Sequence, residues 1–242
     1  MIPGLVAAIA LFGVGLVVFW IEPLGVLGVL EWLTPNLVYR VRTERPLVAL
    51  SFDDGPHSEF TPQVLAILER YNSKATFFLI GERAQRHPEA VSRIRAAGHE
   101  VGNHYFRNGP TLLHSDAEFA GNLEKTEKTL GMPAGPGRKL FRPPGGVAWP
   151  RQLRLARAKG YECVLGCAYP HDPMRVPAWY IQWLIVKNLR PGTIVILHDG
   201  ISDPRRSIQA LPHILSAGRE MGLRFVSIGE LLRDAQEPID AH

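Results

Sequence analysis

Two adjacent carboxylates, Asp53 and Asp54, close the apolar run Leu47-Val48-Ala49-Leu50-Ser51-Phe52, and Gly55-Pro56 then punctuates the chain. Further on come His104 with Asn108 four residues later, Arg142 before Pro143-Pro144, Asp172 in a polar stretch, and the pair His198-Asp199. One carboxylate with one or two imidazoles can bind a divalent ion and leave coordination positions open. A second carboxylate beside the ion can take a proton from water, and a separate histidine can protonate a leaving amine. Singly, each residue has a plainer role. Asp-Asp-Gly-Pro is an ordinary turn, a strand-end histidine is a hydrogen-bonded structural residue, an arginine before prolines anchors a loop, and an aspartate after histidine caps a helix. Two histidines, four acids and an arginine on one rim are too many for packing alone, so the chemistry depends on whether the fold delivers them there.

The elements that would deliver them are legible. Apolar runs read as strands at Leu47–Phe52, Ala75–Ile80, His99–Asn103, Lys139–Phe141, Tyr161–Cys167, Thr193–Leu197 and Arg224–Val226. Helical patterns lie between them. One opens with Thr61-Pro62 as N-cap and first-turn proline, and another begins at Pro88. A third covers Ser115–Leu130, with Ser115 and Glu118 at capping-box spacing. Others cover Pro150–Lys159, Pro177–Leu189 and Ser207–Gly218, and Ser227 caps a last helix to Leu232. Strand–helix alternation predicts an α/β fold with a mostly parallel sheet covered by helices on the outside. A closed or nearly closed β/α barrel is the economical form; an open doubly wound sheet is the alternative, and no glycine-rich phosphate loop follows its first strand. In either, chemistry gathers where strands end, which is where each polar residue named above falls. In a regular strand Asp53 and Asp54 point to opposite faces, which makes them a poor carboxylate pair for glycoside cleavage.

The chain of 242 residues is 46% hydrophobic and 21% charged with a net charge of +4, which suits a packed core and excludes disorder. Its Lys and Arg are scattered, so nothing argues for a nucleic-acid partner. Cys163 and Cys167, four strand steps or roughly 13 Å apart, are too distant for a disulfide. Ile2–Ile21 carries no charged side chain and ends near Trp20, which predicts a retained single-pass membrane helix rather than a cleaved leader. Arg40, Arg42 and Arg45 would place the main domain in the cytoplasm, unless Leu24–Leu33, too short to span alone, re-enters; the side stays open. The expected division is an anchor and juxtamembrane linker over 1–44, a catalytic domain over 45–235 and a tail over 236–242.

Four motifs then define a resemblance. Ser51-Phe52-Asp53-Asp54-Gly55-Pro56, Gly98-His99-Glu100-Val101-Gly102-Asn103-His104, Phe141-Arg142-Pro143-Pro144-Gly145 and Ile196-Leu197-His198-Asp199 resemble, in order, those of the polysaccharide deacetylases (carbohydrate esterase family four). The resemblance covers about Arg45 to Leu232. It implies a deformed β/α barrel of about seven parallel strands. It also implies a hydrolase that uses a divalent ion, zinc or cobalt, to remove acetyl groups from an N- or O-acetylated polysaccharide or glycoconjugate. By the same resemblance Asp53 matches the catalytic base, Asp54 and His104 metal ligands, and Arg142 the arginine that orients the base. Gly145 matches the backbone donor to the oxyanion, His198 the catalytic acid, and Asp172 the acid that tunes it.

The sequence departs from the family pattern at Asn108, which stands where the second histidine ligand is expected. Three arrangements follow. Asn108 ligates weakly, His57 or His114 substitutes, or the site holds no metal and the chain is a carbohydrate-binding pseudoenzyme. An apolar wall usually supplied by tryptophan is missing near Tyr169–Pro173, where Tyr169 or Trp149 could replace it, and Gly145 takes the place of an aromatic and opens the pocket.

Overall fold

The computed structural model describes residues 24–132, 139–200 and 203–235. Along them run α1 (Leu24–Leu33), β1 (Leu47–Gly55), α2 (Phe60–Arg70), β2 (Thr76–Leu79), α3 (Gly81–Arg86), α4 (Pro88–Ala96), β3 (Glu100–Asn103), α5 (Asp116–Leu130) and β4 (Lys139–Phe141). There follow α6 (Pro150–Ala158), β5 (Tyr161–Cys163), α7 (Ala178–Asn188), β6 (Ile194–His198), α8 (Arg205–Glu220), β7 (Arg224–Val226) and α9 (Ile228–Asp234).

All seven strands join one parallel sheet in the order β5-β4-β3-β2-β1-β6, with β7 added on β1. Ala49 pairs with both Ile194 and Val226, and Ser51 with both Thr76 and Ile196. β6 therefore takes one edge of β1, while β7 and β2 share the other in succession. Past β5 the chain turns back so that Ala168 bridges Val195 of β6. That contact draws the two ends of the sheet together into the deformed barrel expected from the sequence.

Strand alternation sorts β1 into two environments. Val48, Leu50 and Phe52 pack outward with Val64 and Leu68 of α2, Ile94 of α4, Ile181 and Ile185 of α7, and Leu211 and Ile214 of α8. Leu47 and Ala49 point inward with Phe78, Leu140, Val164, Ile194 and Val226. All nine residues of β1 are buried, which is why the run is apolar on both faces. Ser51 and Asp53 continue the inward set toward the barrel mouth.

Local chemistry accounts for most helix ends. Ser115 accepts from the Glu118 N–H while Glu118 reaches back to the Ser115 N–H, and Gly131 ends α5 in the left-handed region at φ 58°. Thr61 does not cap α2 as predicted. The helix begins two residues earlier than that cap implies, at Phe60, with Glu59 at the N-cap and the Thr61 side chain turned elsewhere. Its hydroxyl instead accepts from the His57 N–H and donates to the Asp199 carboxylate, because a buried acid competes better for it than a helix end open to water.

Among the described residues no helix is long and apolar enough to cross a membrane. The apolar stretch Ile2–Ile21 and the tail 236–242 lie outside them. The segment read as a linker packs on the domain. Leu27 is buried with Tyr39 and Cys167, Arg40 pairs with Glu31 at 2.8 Å, and Val38 and Arg40 bridge Val164 and Thr193. Cys163 and Cys167 are both buried and not joined in a disulfide. Ser115→Ala should lower stability by about 1 kcal/mol with activity intact; chemical denaturation beside an activity assay checks this.

Candidate active site

The C-terminal strand ends open into a cleft of about 450 Å³ lined by Asp53, Asp54, His104, Asn108, Arg142, Gly145, Tyr169 and His198, among others. Eight of the nine residues marked in the sequence thus share one cavity, and the ninth, Asp172, stands directly behind His198.

Asp53 lies 4% exposed at the inner face of β1. Arg142, just past β4, crosses the barrel mouth to it. One guanidinium nitrogen donates to Asp53 Oδ1 at 2.6 Å and to Ser51 Oγ at 2.8 Å. Nε donates to the Val164 carbonyl at 3.2 Å, the remaining nitrogen to the Leu165 carbonyl, and the plane lies over the Phe78 ring at 4.2 Å. A buried guanidinium is tolerated only with its donors satisfied, and these partners satisfy them.

Asp54 should face the outer helices by alternation. It does not, because the β1–β2 register slips between Asp53 and Gly55 and Asp54 takes a left-handed φ of 67°. A bulge of this kind re-aims one side chain, and aspartate tolerates that conformation better than most residues. Both carboxylates therefore line the same cleft, which corrects the expectation that they diverge. The turn is held from outside the cleft. Arg83 of α3 donates to the Asp54 carbonyl at 2.6 Å and also to the Gly200 carbonyl. The Asp199 N–H reaches the Asp53 carbonyl, and a Cβ at Gly200 would collide with the Asp54 carbonyl. Burial pushes Asp54 up, but His104, with His198 and Arg83, outweighs it and holds the carboxyl below its ordinary value.

His104 follows β3 and is 3% exposed. Its Nδ1 meets the Arg142 carbonyl at 2.8 Å, which fixes the ring and leaves Nε2 3.5 Å from Asp54 Oδ1. An imidazole anchored through one nitrogen beside a carboxylate is the usual posture of a metal-ligating pair. Among the described residues no three His, Cys, Asp or Glu side chains converge as a metal site. The residues that could hold a divalent cation here are Asp54, His104 and Asn108, whose amide would add a neutral oxygen donor and which lines the same cleft. His57 and His114 are not in its wall. His57 Nδ1 accepts from the Glu59 and Phe60 N–H groups, and His114 Nδ1 meets the Tyr105 hydroxyl at 2.7 Å.

Beside Asp53, His198 ends β6 in register with it, one strand spacing or about 4.8 Å away at the backbone. Asp172 Oδ1 sits 2.9 Å from His198 Nδ1, while Oδ2 accepts from the His198 N–H at 2.9 Å and from Ser207 at 2.7 Å. Burial pushes His198 down; the charge and hydrogen bond of Asp172, with Asp53 and Asp54 beyond, overturn that and raise it to about 9. Tyr169 stands 6.0 Å from the His198 ring, and Gly145, at φ 65°, has open space where a side chain would sit. Trp149 is outside the cleft lining.

Three contributors were not marked in the sequence as site residues. Arg83 carries no signal there, since one exposed-looking arginine in a helix is ordinary. Ser207 reads only as a helix start. Asp199 was visible as the residue after His198, but its position was not. It is fully buried, Oδ2 accepts from Thr61, and Oδ1 has no hydrogen-bond partner among the described residues. Burial pushes it up to about 7, against the Thr61 hydroxyl. A Cβ at Gly55 would come within 2.7 Å of that Oδ1, so the glycine of the motif makes room for the acid.

The mouth of this parallel β/α barrel thus holds a buried acid–arginine pair beside a buried acid–histidine pair. Comparison with known proteins gives the family. The family model for polysaccharide deacetylase matches residues 40–164. A peptidoglycan-N-acetylglucosamine deacetylase of Bacillus cereus is 36% identical over 212 residues, 85% of this chain and 94% of that one. The Bc1960 peptidoglycan N-acetylglucosamine deacetylase superposes with a TM-score of 0.78 at 32% identity, over 83% of this chain and 95% of that one. A family 4 acetyl xylan esterase from Clostridium thermocellum, in complex with a cobalt ion, gives 0.71 at 32% identity, over 80% and 94%. The chain belongs to the polysaccharide deacetylase family, and it is a hydrolase acting on carbon–nitrogen bonds other than peptide bonds.

A raised pKa fixes the sign of a pH effect. The His198–Asp172 pair contributes fully to stability below the unfolded histidine value of about 6.5 and loses that contribution as pH rises through about 9. By NMR titration of the chelator-treated protein, His198 should titrate near 9, and Asp172→Asn should bring it down, since burial is then opposed only by the smaller effects of Asp53 and Asp54.

Proposed function

We propose that this hydrolase removes the acetyl group from N-acetylated sugars of a glycan such as peptidoglycan. The observation that carries the reading is the convergence of two buried pairs, Asp53 on Arg142 and His198 on Asp172, on one cleft, with Asp53 and His198 side by side on neighbouring strands. A divalent ion held by Asp54, His104 and Asn108 would polarise the acetyl carbonyl and lower the pKa of water; the cobalt complex of the related esterase supports that choice of partner.

The residues divide the remaining work. Arg142 holds Asp53 through Oδ1, which keeps the carboxylate oriented for its second oxygen to take the proton of the attacking water. The Gly145 N–H serves as a donor to the oxygen on which charge develops, a contribution typically worth about 3 kcal/mol. His198 is protonated at neutral pH by virtue of Asp172. It gives its Nε2 proton to the leaving nitrogen while Nδ1 stays fixed. Tyr169 supplies the wall beside the acetyl group, and the open space at Gly145 leaves room for a sugar. A metal-free binding protein has no use for a buried acid paired with a buried arginine, which costs stability to maintain.

Acetate release from N-acetylglucosamine oligomers and peptidoglycan fragments, with zinc or cobalt added to chelator-treated enzyme, tests the reading. Asp53→Asn should lower kcat by about 10²–10⁴, and Asn108→His should tighten metal binding. No acetate from any substrate, or equal release by Asp53→Asn, contradicts the proposal.

A further inference from the structure

Two loops leave the cleft side by side. One runs from Asn108 to Ser115, the other from Gly145 to Trp149 and on into the first turn of α6, and both begin at residues that line the cavity. They are stapled together along their length. Trp149 Nε1 donates to the Leu112 carbonyl at 2.9 Å, Gln152 to the Thr111 carbonyl at 2.8 Å, and Arg151 to the His114 carbonyl at 3.2 Å. Gln152 is fully buried, so the staple is part of the packed structure.

The outer surface of this double loop is apolar and basic together. Leu113 is 91% exposed, Val147 54% and Trp149 50%. An open pocket of about 440 Å³ lies beside them, lined by Trp149, Pro150, Arg151 and Arg154. Arg151 is engaged by the exposed Asp116 at 3.4 Å, whereas Arg154 has no acidic partner among the described residues. The Trp149 ring is held by its Nε1 bond with half its surface open. Trp149 lies three residues along the chain from Gly146, on the cleft wall, a reach of at most about 11 Å. That is a distance the neighbouring sugars of a polymer cover when one sugar sits in the cleft.

We infer, on the basis of the reading above, that the Trp149–Arg154 surface is a distal subsite that binds the glycan chain beyond the reacting sugar and selects chains carrying carboxylates. Trp149 offers a flat amphipathic face for a sugar ring, and Arg154 offers an unsatisfied cation for an acidic substituent. The occupant is the substrate itself, because the surface lies on the segment that leaves the cleft wall at Gly146 and its charge is opposite to that of an acidic glycan. A neutral chito-oligosaccharide would use the tryptophan alone.

The test compares a short neutral oligomer, a long neutral oligomer and a peptidoglycan fragment with its carboxylates. Trp149→Ala should raise KM for both long substrates about threefold to tenfold, with kcat and the short oligomer unchanged, and Trp149→Tyr should recover most of the loss. Arg154→Gln should raise KM for the peptidoglycan fragment only, by an amount that shrinks with salt. Melting temperatures of the variants separate these effects from loss of fold. Unchanged KM for both long substrates in Trp149→Ala overturns the subsite. A tryptophan effect with Arg154→Gln silent overturns the preference for carboxylates. Should the unaltered enzyme release no acetate from any substrate, the hydrolase reading fails instead. Calorimetric binding of the long substrates to Asp53→Asn, with and without Trp149→Ala, then still decides the subsite.

Discussion

Arg142 is the interaction on which the site depends. A guanidinium 1% exposed is an expensive object unless all its donors find acceptors. Here its donors meet the acid of the first strand, the serine beneath it and two carbonyls beyond the fifth strand, while its face covers Phe78. Its own carbonyl holds His104. One residue thus sets the orientation of Asp53 and, through its backbone, of the imidazole beside Asp54. Removing either member of the buried pair leaves the other without compensation, a penalty of about 3–5 kcal/mol. The pair is therefore both a structural commitment of the barrel mouth and the device that presents the carboxylate to the cleft.

The second constraint is backbone shape at the tip of β1. A regular strand would send Asp54 outward, away from His104. The bulge and the left-handed residue bring it back, and Arg83, the Asp199 N–H and the absence of a side chain at Gly200 hold that turn against β6. Since β6 ends in His198, the same contacts keep that imidazole at a fixed distance from the two acids. The electrostatics follow from the geometry. Asp54 is held low by the histidines and Arg83, and His198 is held high by Asp172, so each carries the charge its position calls for.

Much of this was legible in the sequence, for definite reasons. The strands were readable because both faces of β1 are covered and every residue in it is buried. The residues of the rim were readable because polar side chains at the ends of apolar runs have few structural excuses. The capping box at Ser115 was read correctly because it is a local interaction. What escaped was long-range. Thr61 looked like a helix cap until Asp199, 138 positions away, claimed its hydroxyl. The divergence expected of Asp53 and Asp54 assumed a regular strand, and no local signal marks the slip. The substitution at Asn108 left three arrangements open. The fold removes His57 and His114 by placing them on other partners.

The central claim is that Asp53 and Arg142 act as a single unit. A double-mutant cycle on kcat, with Asp53→Asn, Arg142→Met and the two combined, tests it most directly. If the arginine works by orienting that carboxylate, the double variant loses no more activity than Asp53→Asn alone, because nothing remains to orient. If the two losses instead multiply, Arg142 acts independently of Asp53 and the account of the site is wrong.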